Sequence, residues 1–177
     1  MMSALQFLVE TLLSLVFFVV LLRLLLQWAR ADFRNPLAVA VMRLSNWLIL
    51  PLRRVLPPIG RIDTATVLAV LVIAFVEVGA LYFLRGYGTP LPLEWTRLAA
   101  LEIVRTTLWT YFYATLAYGL LGLIAPGVYS PAQSLLESLC EPILKPLRRT
   151  IPAVGGLDLS PLWAIIIIQM LLILLRA

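Results

Sequence analysis

The sequence predicts an all-α membrane protein with four transmembrane helices in two parallel repeats, each repeat holding an amphipathic interfacial helix between its spans. Three observations predict it. Hydrophobic residues fill 62% of the 177 positions, charged ones 13%, and the mean hydropathy is +1.00; a soluble domain of this length would lack the polar surface to face water. A motif recurs without a gap 95 residues on (131 − 36 = 95), pairing Pro36 with Pro131 and Asp63 with Asp158, so both halves should be built alike. Arginine and lysine gather in two segments flanked by apolar runs, which is the charge bias of membrane loops.

A hydrocarbon core of about 30 Å needs roughly 20 apolar residues as helix, and backbone amides in lipid must bond internally, which selects helices. Span one is expected at Leu5–Trp28. Ala29-Arg30-Ala31 looks like a cleavage site, but the opening MMSALQ has no basic residue, so the span reads as retained. Spans two, three and four are expected at Thr64–Leu84, Leu98–Ala125 and Leu157–Leu175. Repeat one is then residues 1–84, the outer connection 85–97 and repeat two 98–177.

Between spans one and two lie Arg30, Arg34, Arg43, Arg53, Arg54 and Arg61; between three and four lie Lys145, Arg148 and Arg149. The opposite side carries Arg85, Arg97 and Arg176. This asymmetry predicts cytoplasmic long loops and both termini outside. The halves would run parallel about an axis along the membrane normal, unlike inverted-repeat transporters.

Each long loop should hold a helix. Asn35-Pro36 and Ser130-Pro131 read as an N-cap followed by proline at the first helical position. In the second copy Gln133, Ser134, Glu137, Ser138 and Glu141 share one face, opposite Leu135, Leu136, Leu139, Ile143 and Leu144, the pattern of a helix lying in the membrane interface. The first copy (LAVAVMRLSNWLIL) is more apolar. The prolines of PLRR, Pro51 and Pro146, are expected to end these helices because they lack an amide donor. Pro57/Pro152 and Gly60/Gly155 then turn the chain back toward the membrane, with Asp63 and Asp158 at re-entry.

The doubled unit NP or SP, PLRR, P and GxxD, followed by an apolar helix, resembles the YggT family, whose plastid and cyanobacterial relatives are called YlmG-like. The resemblance covers the whole chain. It implies a small integral membrane protein linked to osmotic or ionic stress tolerance, to cofactor assembly on membrane cytochromes, or to division-related organisation. It supplies no catalytic residues. The copies differ where Pro58, Arg61 and Asn35 become Ala153, Gly156 and Ser130.

The chain has no histidine and one cysteine, Cys140. An internal disulfide is excluded, and the commonest metal ligand, general base and haem ligand are missing. No catalytic group, cofactor or metal site is expected, and the chain reads as no enzyme. The net charge of +5 sits beside spans, so its partner is the anionic headgroup and not nucleic acid. Arg53, Arg54, Lys145, Arg148 and Arg149 are the candidate headgroup or partner contacts, since guanidinium forks suit phosphate oxygens; the plainer role is a topology anchor. Asp63 and Asp158 read as helix N-caps or as ion-pair partners of those arginines.

Charges within spans are costly and mark functional candidates. At 1.5 Å per residue, Glu10 lies about 8 Å, Glu77 about 10 Å, and Glu102 and Arg105 about 6–10 Å from the outer ends of their spans. The sharp reading is one buried outer cluster that attracts cations. The plain one pairs Glu102 with Arg105, one turn apart, and sends Glu10 to the interface. Arg23 is expected to snorkel or to pair with Asp63; its repeat counterpart is Tyr118. Trp109, Tyr111, Phe112, Tyr113 and Tyr118 read as a packed helix face, Gly119 and Gly122 as allowing close helix approach, and Cys140 as packed or acylated. The expected function is a non-enzymatic, multi-pass protein of the bacterial inner membrane supporting osmotic or ion-stress tolerance by assisting other membrane proteins. A small-cation transporter or channel component, working as a homo-oligomer, and a cytochrome assembly helper are the alternatives.

Overall fold

A computed structural model describes residues 4–59, 63–124, 130–150 and 158–175. Gly60, Pro152 and Gly155 of the repeated motif lie outside them, as do Arg61, Ala153, Gly156 and Arg176. Among the described residues the chain forms six helices: α1 (Ala4–Trp28), α2 (Pro36–Val55), α3 (Thr64–Leu84), α4 (Pro92–Ile124), α5 (Pro131–Thr150) and α6 (Ser160–Leu174).

Three of them, α1, α3 and α4, are long and apolar enough to cross a membrane. At 25 and 21 residues, α1 and α3 reach about 38 and 32 Å. The 33 residues of α4 reach about 50 Å. It starts six residues before the expected Leu98, because Pro92 fits the first helical position and Glu94 favours the first turn. The described part of the expected fourth span is shorter than a bilayer core. The 15 described residues of α6 measure about 22 Å, so the described chain holds three helices of spanning length and one short apolar helix.

The motif prolines do not end α2 and α5. Pro51 lies inside α2, Pro142 and Pro146 lie inside α5, and PLRR forms their closing turns. A proline removes one amide donor and crowds one carbonyl, at a cost of about 3 kcal/mol. Arg53/Arg54 and Arg148/Arg149 in the last turns offset part of that cost, because cations complement the C-terminal end of the helix dipole. The starts match expectation: the Leu37 amide donates to Asn35 Oδ1 at 2.9 Å, and the Gln133 amide to Ser130 Oγ at 3.1 Å.

After α3, Gly86 takes φ 79, and the Tyr87 amide reaches back to the Tyr82 carbonyl at 3.1 Å. That is a glycine-terminated helix end, and only glycine adopts this φ without strain.

The chain packs as two compact units. The first comprises Met1–Leu24 and Val41–Thr106, the second Leu25–Ala40 and Thr107–Ala177. Neither coincides with a sequence repeat, because α1, α2 and α4 each contribute to both. In the first unit, Phe17, Val20 and Leu21 of α1 are buried, as are Ala65, Ala69, Val70, Ile73 and Ala74 of α3. The alanines allow close helix approach. Toward the C-terminal end of α3 a β-carbon on Gly79 would meet the Trp95 ring at 2.6 Å, while Trp95 Nε1 donates to the Phe75 carbonyl at 2.9 Å. In the second unit, Leu139, Cys140 and Leu144 of α5 are buried, as are Ala164, Ile168 and Leu172 of α6. Leucine, valine and isoleucine side chains stand exposed along the apolar helices, among them Leu12, Leu15, Leu71, Val72, Leu120 and Ile166. So broad an apolar exterior suits lipid as solvent and not water.

Candidate functional sites

Each copy of the motif closes with an arginine–aspartate clamp ten residues long. In the first, Arg53 on the last turn of α2 reaches Asp63 before α3; Nε donates at 3.2 Å and Nη2 at 2.5 Å to Oδ2. The Thr66 hydroxyl donates to the same oxygen at 2.6 Å. In the second, Arg148 Nε donates to Asp158 at 2.8 Å, and Asp158 Oδ1 accepts from the Ser160 amide at 2.9 Å. Of the two architectural roles open to these aspartates, the clamp is present in both copies. Asp63 makes no side-chain cap bond to the backbone of α3, whereas Asp158 also holds the first amide of α6.

Within each Arg pair only the first arginine is used this way. Arg54 and Arg149 are exposed, as is Lys145, and none has an ion-pair partner among the described residues. Among the described residues, duplication thus leaves one guanidinium without an ion-pair partner at the same place in each copy.

Behind the clamps, α1 is tied to α2 and α4 to α5 through equivalent positions of opposite chemistry. In copy one Arg23 is wholly buried, and its Nη1 donates to Ser45 Oγ and Asn46 Oδ1, both at 2.9 Å. Its Nε and Nη2 make no hydrogen bond among the described residues. Snorkelling is therefore corrected. Arg23 turns into α2, toward Ser45 and Asn46, and lies close enough to Asp63 for that charge to act on it. In copy two the counterpart, Tyr118, accepts from Arg148 Nη2 at 3.0 Å, and Arg148 Nη1 donates to Glu141 at 3.0 Å. The first network sets two arginines against one aspartate; the second sets one arginine against two carboxylates. Hydrogen bonding from Ser160 and Arg148 outweighs burial, which alone would raise the Asp158 carboxyl, and holds it below its ordinary 3.8.

The two motif copies also touch at their starts. Asn35 Nδ2, at the head of α2, donates to the Pro131 carbonyl at the head of α5 at 2.6 Å. Sequence reasoning missed this bond, since Asn35 and Ser130 each read only as a local cap. Pro36 and Pro131 line a small polar cavity beside it. Pro57, on the turn after α2, accepts a 2.8 Å hydrogen bond from the Thr64 hydroxyl.

Among the described residues the four intramembrane candidates take different partners. Glu10 pairs with Arg85 at 3.4 Å. Glu77, 2% exposed, accepts from the Ser14 hydroxyl at 2.5 Å, and its Oε2 has no partner among the described residues. Glu102 accepts from the Thr106 hydroxyl at 3.2 Å and lies close enough for its charge to act on Glu77. Arg105 is exposed and makes no ion pair with Glu102. Three residues along a helix turn the side chain by about 60° from register, which carries Arg105 off the half-buried face that holds Glu102. What remains is a buried Glu77–Ser14 pair with Glu102 nearby.

Along α4, Trp109 stacks on Tyr113 and both meet Phe112 edge to face, with ring centroids 5.3–5.5 Å apart. Cys140 is fully buried against the Thr115 hydroxyl, and burial pushes its thiol up to about 11. An inaccessible neutral thiol is a poor nucleophile, which favours the packed reading over acylation. Among the described residues no group of His, Cys, Asp and Glu could hold a metal ion.

The family model described as CCB3/YggT matches residues 2–84 and 98–177. An uncharacterised protein of Pseudomonas aeruginosa is 36% identical over 173 residues, 96% of this chain and 86% of the relative. YggT of Escherichia coli is 34% identical over 170 residues, covering 96% and 88%. A Vibrio alginolyticus protein encoded in the proC 3′ region is 36% identical over 162 residues, covering 91% and 87%. No solved structure matches. With both halves matched and similarity running nearly end to end, the chain belongs to the CCB3/YggT family of membrane proteins.

Proposed function

We propose that this protein is a non-enzymatic scaffold of the bacterial inner membrane that supports osmotic and ion-stress tolerance by holding other membrane proteins at the cytoplasmic surface. The observation that carries it is the division of labour within each Arg pair. Arg53 and Arg148 close the loops, whereas Arg54 and Arg149 stand exposed at equivalent positions. A pure anchor needs basic residues but no fixed frame; a duplicated exposed guanidinium suits anionic headgroups and acidic partner surfaces. The Asn35–Pro131 bond supports parallel halves, because it brings the exits of α1 and α4 together. On this reading α6 is the fourth span, both long loops are cytoplasmic, and both termini lie outside.

The test is complementation of a deletion strain at high osmolarity. Wild type should restore growth, and the paired Arg54→Glu and Arg149→Glu variant, inserted at the same level, should not. Equal rescue by the variant rejects the scaffold.

One observation favours a second reading, a pathway for small cations: Glu77 buries a carboxylate oxygen that no protein donor meets among the described residues, with Glu102 nearby. Glu77→Gln should then change sodium- or lithium-dependent growth or flux, and unaltered behaviour at normal insertion rejects it.

A further inference from the structure

Beside the second clamp lies a cavity of about 490 Å³, within the size range of ligand sites. Its walls are apolar faces of α4 and α6, and Gly119 and Gly122 supply its depth. Its polar lining comes from Thr115, Tyr118, Gln133 and Asp158, of which Tyr118 and Asp158 are joined through Arg148. A β-carbon on Gly122 would meet nothing within 4 Å, so the space beside this glycine is open. Arg148 bonds Glu141 as well.

The charge there is the reverse of the exposed arginine surface. Glu141 and Asp158 are 43% and 42% exposed and outnumber the single Arg148 between them. Among the described residues Arg148 spends three of its five N–H donors on these neighbours, leaving two. A primary ammonium suits the carboxylates, a phosphate oxygen suits the remaining N–H groups, and an acyl chain suits the glycine-floored trough. In a bilayer a lipid-facing apolar trough fills with hydrocarbon, and its polar lining selects which lipid supplies it.

We infer that this groove in the second repeat binds an amine-headed phospholipid, its ammonium at Asp158 and Glu141 and one acyl chain along Gly119 and Gly122. The inference rests on the membrane placement proposed above, with α5 at headgroup level. The first repeat does not offer the same chemistry, because its equivalent network carries Arg23 and Asn46 in place of Tyr118 and Glu141.

The experiment reconstitutes the full chain in nanodiscs of equimolar phosphatidylethanolamine and phosphatidylglycerol, then releases it for native mass spectrometry. Wild type should retain phosphatidylethanolamine in excess. Gly122→Leu, which fills the groove while raising helix propensity, should lose the adduct, and Leu162→Trp should do so from the α6 side. Glu141→Gln keeps an acceptor for Arg148 and removes one charge, so the headgroup preference should fall about two- to fivefold. Equal retention of both lipids by wild type, or full retention by both filling variants, overturns the site. A groove occupied instead by a second copy would appear as a dimer lost in Gly122→Leu without a lipid adduct, and also overturns it. Retention in nanodiscs is independent of sidedness, so failure here and failure of the proposed topology are read separately.

Discussion

Removing the first clamp's carboxylate should cost far more than removing the second's. Asp63 is 8% exposed and takes a two-nitrogen fork from Arg53 together with the Thr66 hydroxyl. Asp63→Asn leaves the guanidinium facing a neutral amide in a largely desolvated place. Breaking a buried pair costs about 3–5 kcal/mol. Arg53 is 37% exposed, so water recovers part of that, and the expected loss is about 2–3 kcal/mol. Asp158 is 42% exposed beside an Arg148 that keeps Glu141 and Tyr118; Asp158→Asn falls in the range for surface pairs, about 0–1 kcal/mol. Denaturant unfolding in one detergent, followed by helical circular dichroism, compares the two. Double-mutant cycles with Arg53→Gln and Arg148→Gln isolate the pair energies. If Asp158→Asn costs as much as Asp63→Asn, or the Arg53–Asp63 coupling falls below about 1 kcal/mol, then burial does not set the strength of these clamps.

Three further outcomes follow from the same geometry. Gly79→Ala forces a β-carbon into the Trp95 ring at 2.6 Å; it should destabilise the first unit by about 1–3 kcal/mol and shift tryptophan fluorescence in the same unfolding assay. Cys140, buried with its thiol raised to about 11, should resist maleimide in folded protein and react after denaturation; labelling of native protein at neutral pH refutes that packing. The Asp158 carboxyl is depressed when folded, so its contribution is fully present above the ordinary value of 3.8 and fades as pH falls through the lower folded value. Acid titration should therefore weaken the effect of Asp158→Asn only below about pH 4, and the opposite trend contradicts the assignment.

Much of the fold is legible because lipid imposes a simple rule. The limits of α1 and α3 follow from apolar run length, and the starts of α2 and α5 from Asn-Pro and Ser-Pro. Helix ends at PLRR were not legible, since the penalty at Pro51 and Pro146 is local whereas the offsetting Arg53 and Arg148 clamps are tertiary. The aspartate clamps could be weighed as one of two roles because the repeat puts the same ten-residue spacing in both copies. Pairing of Glu10 with Arg85 was not legible, nor was the outward turn of Arg105, since depth along a helix says nothing of rotation about it. Arg23 gave a fair signal, an arginine in an apolar span, but its replacement by Tyr118 concealed that these positions tie α1 to α2 and α4 to α5. The Gly122 groove left no sequence mark beyond a pair of glycines.

Single-cysteine accessibility at Arg54→Cys and Arg149→Cys, in intact cells and in inverted vesicles, bears most directly on the parallel, doubled architecture. Both sites should be silent to an impermeant reagent from outside and react from the cytoplasmic face. Reaction of the two from opposite faces would contradict it.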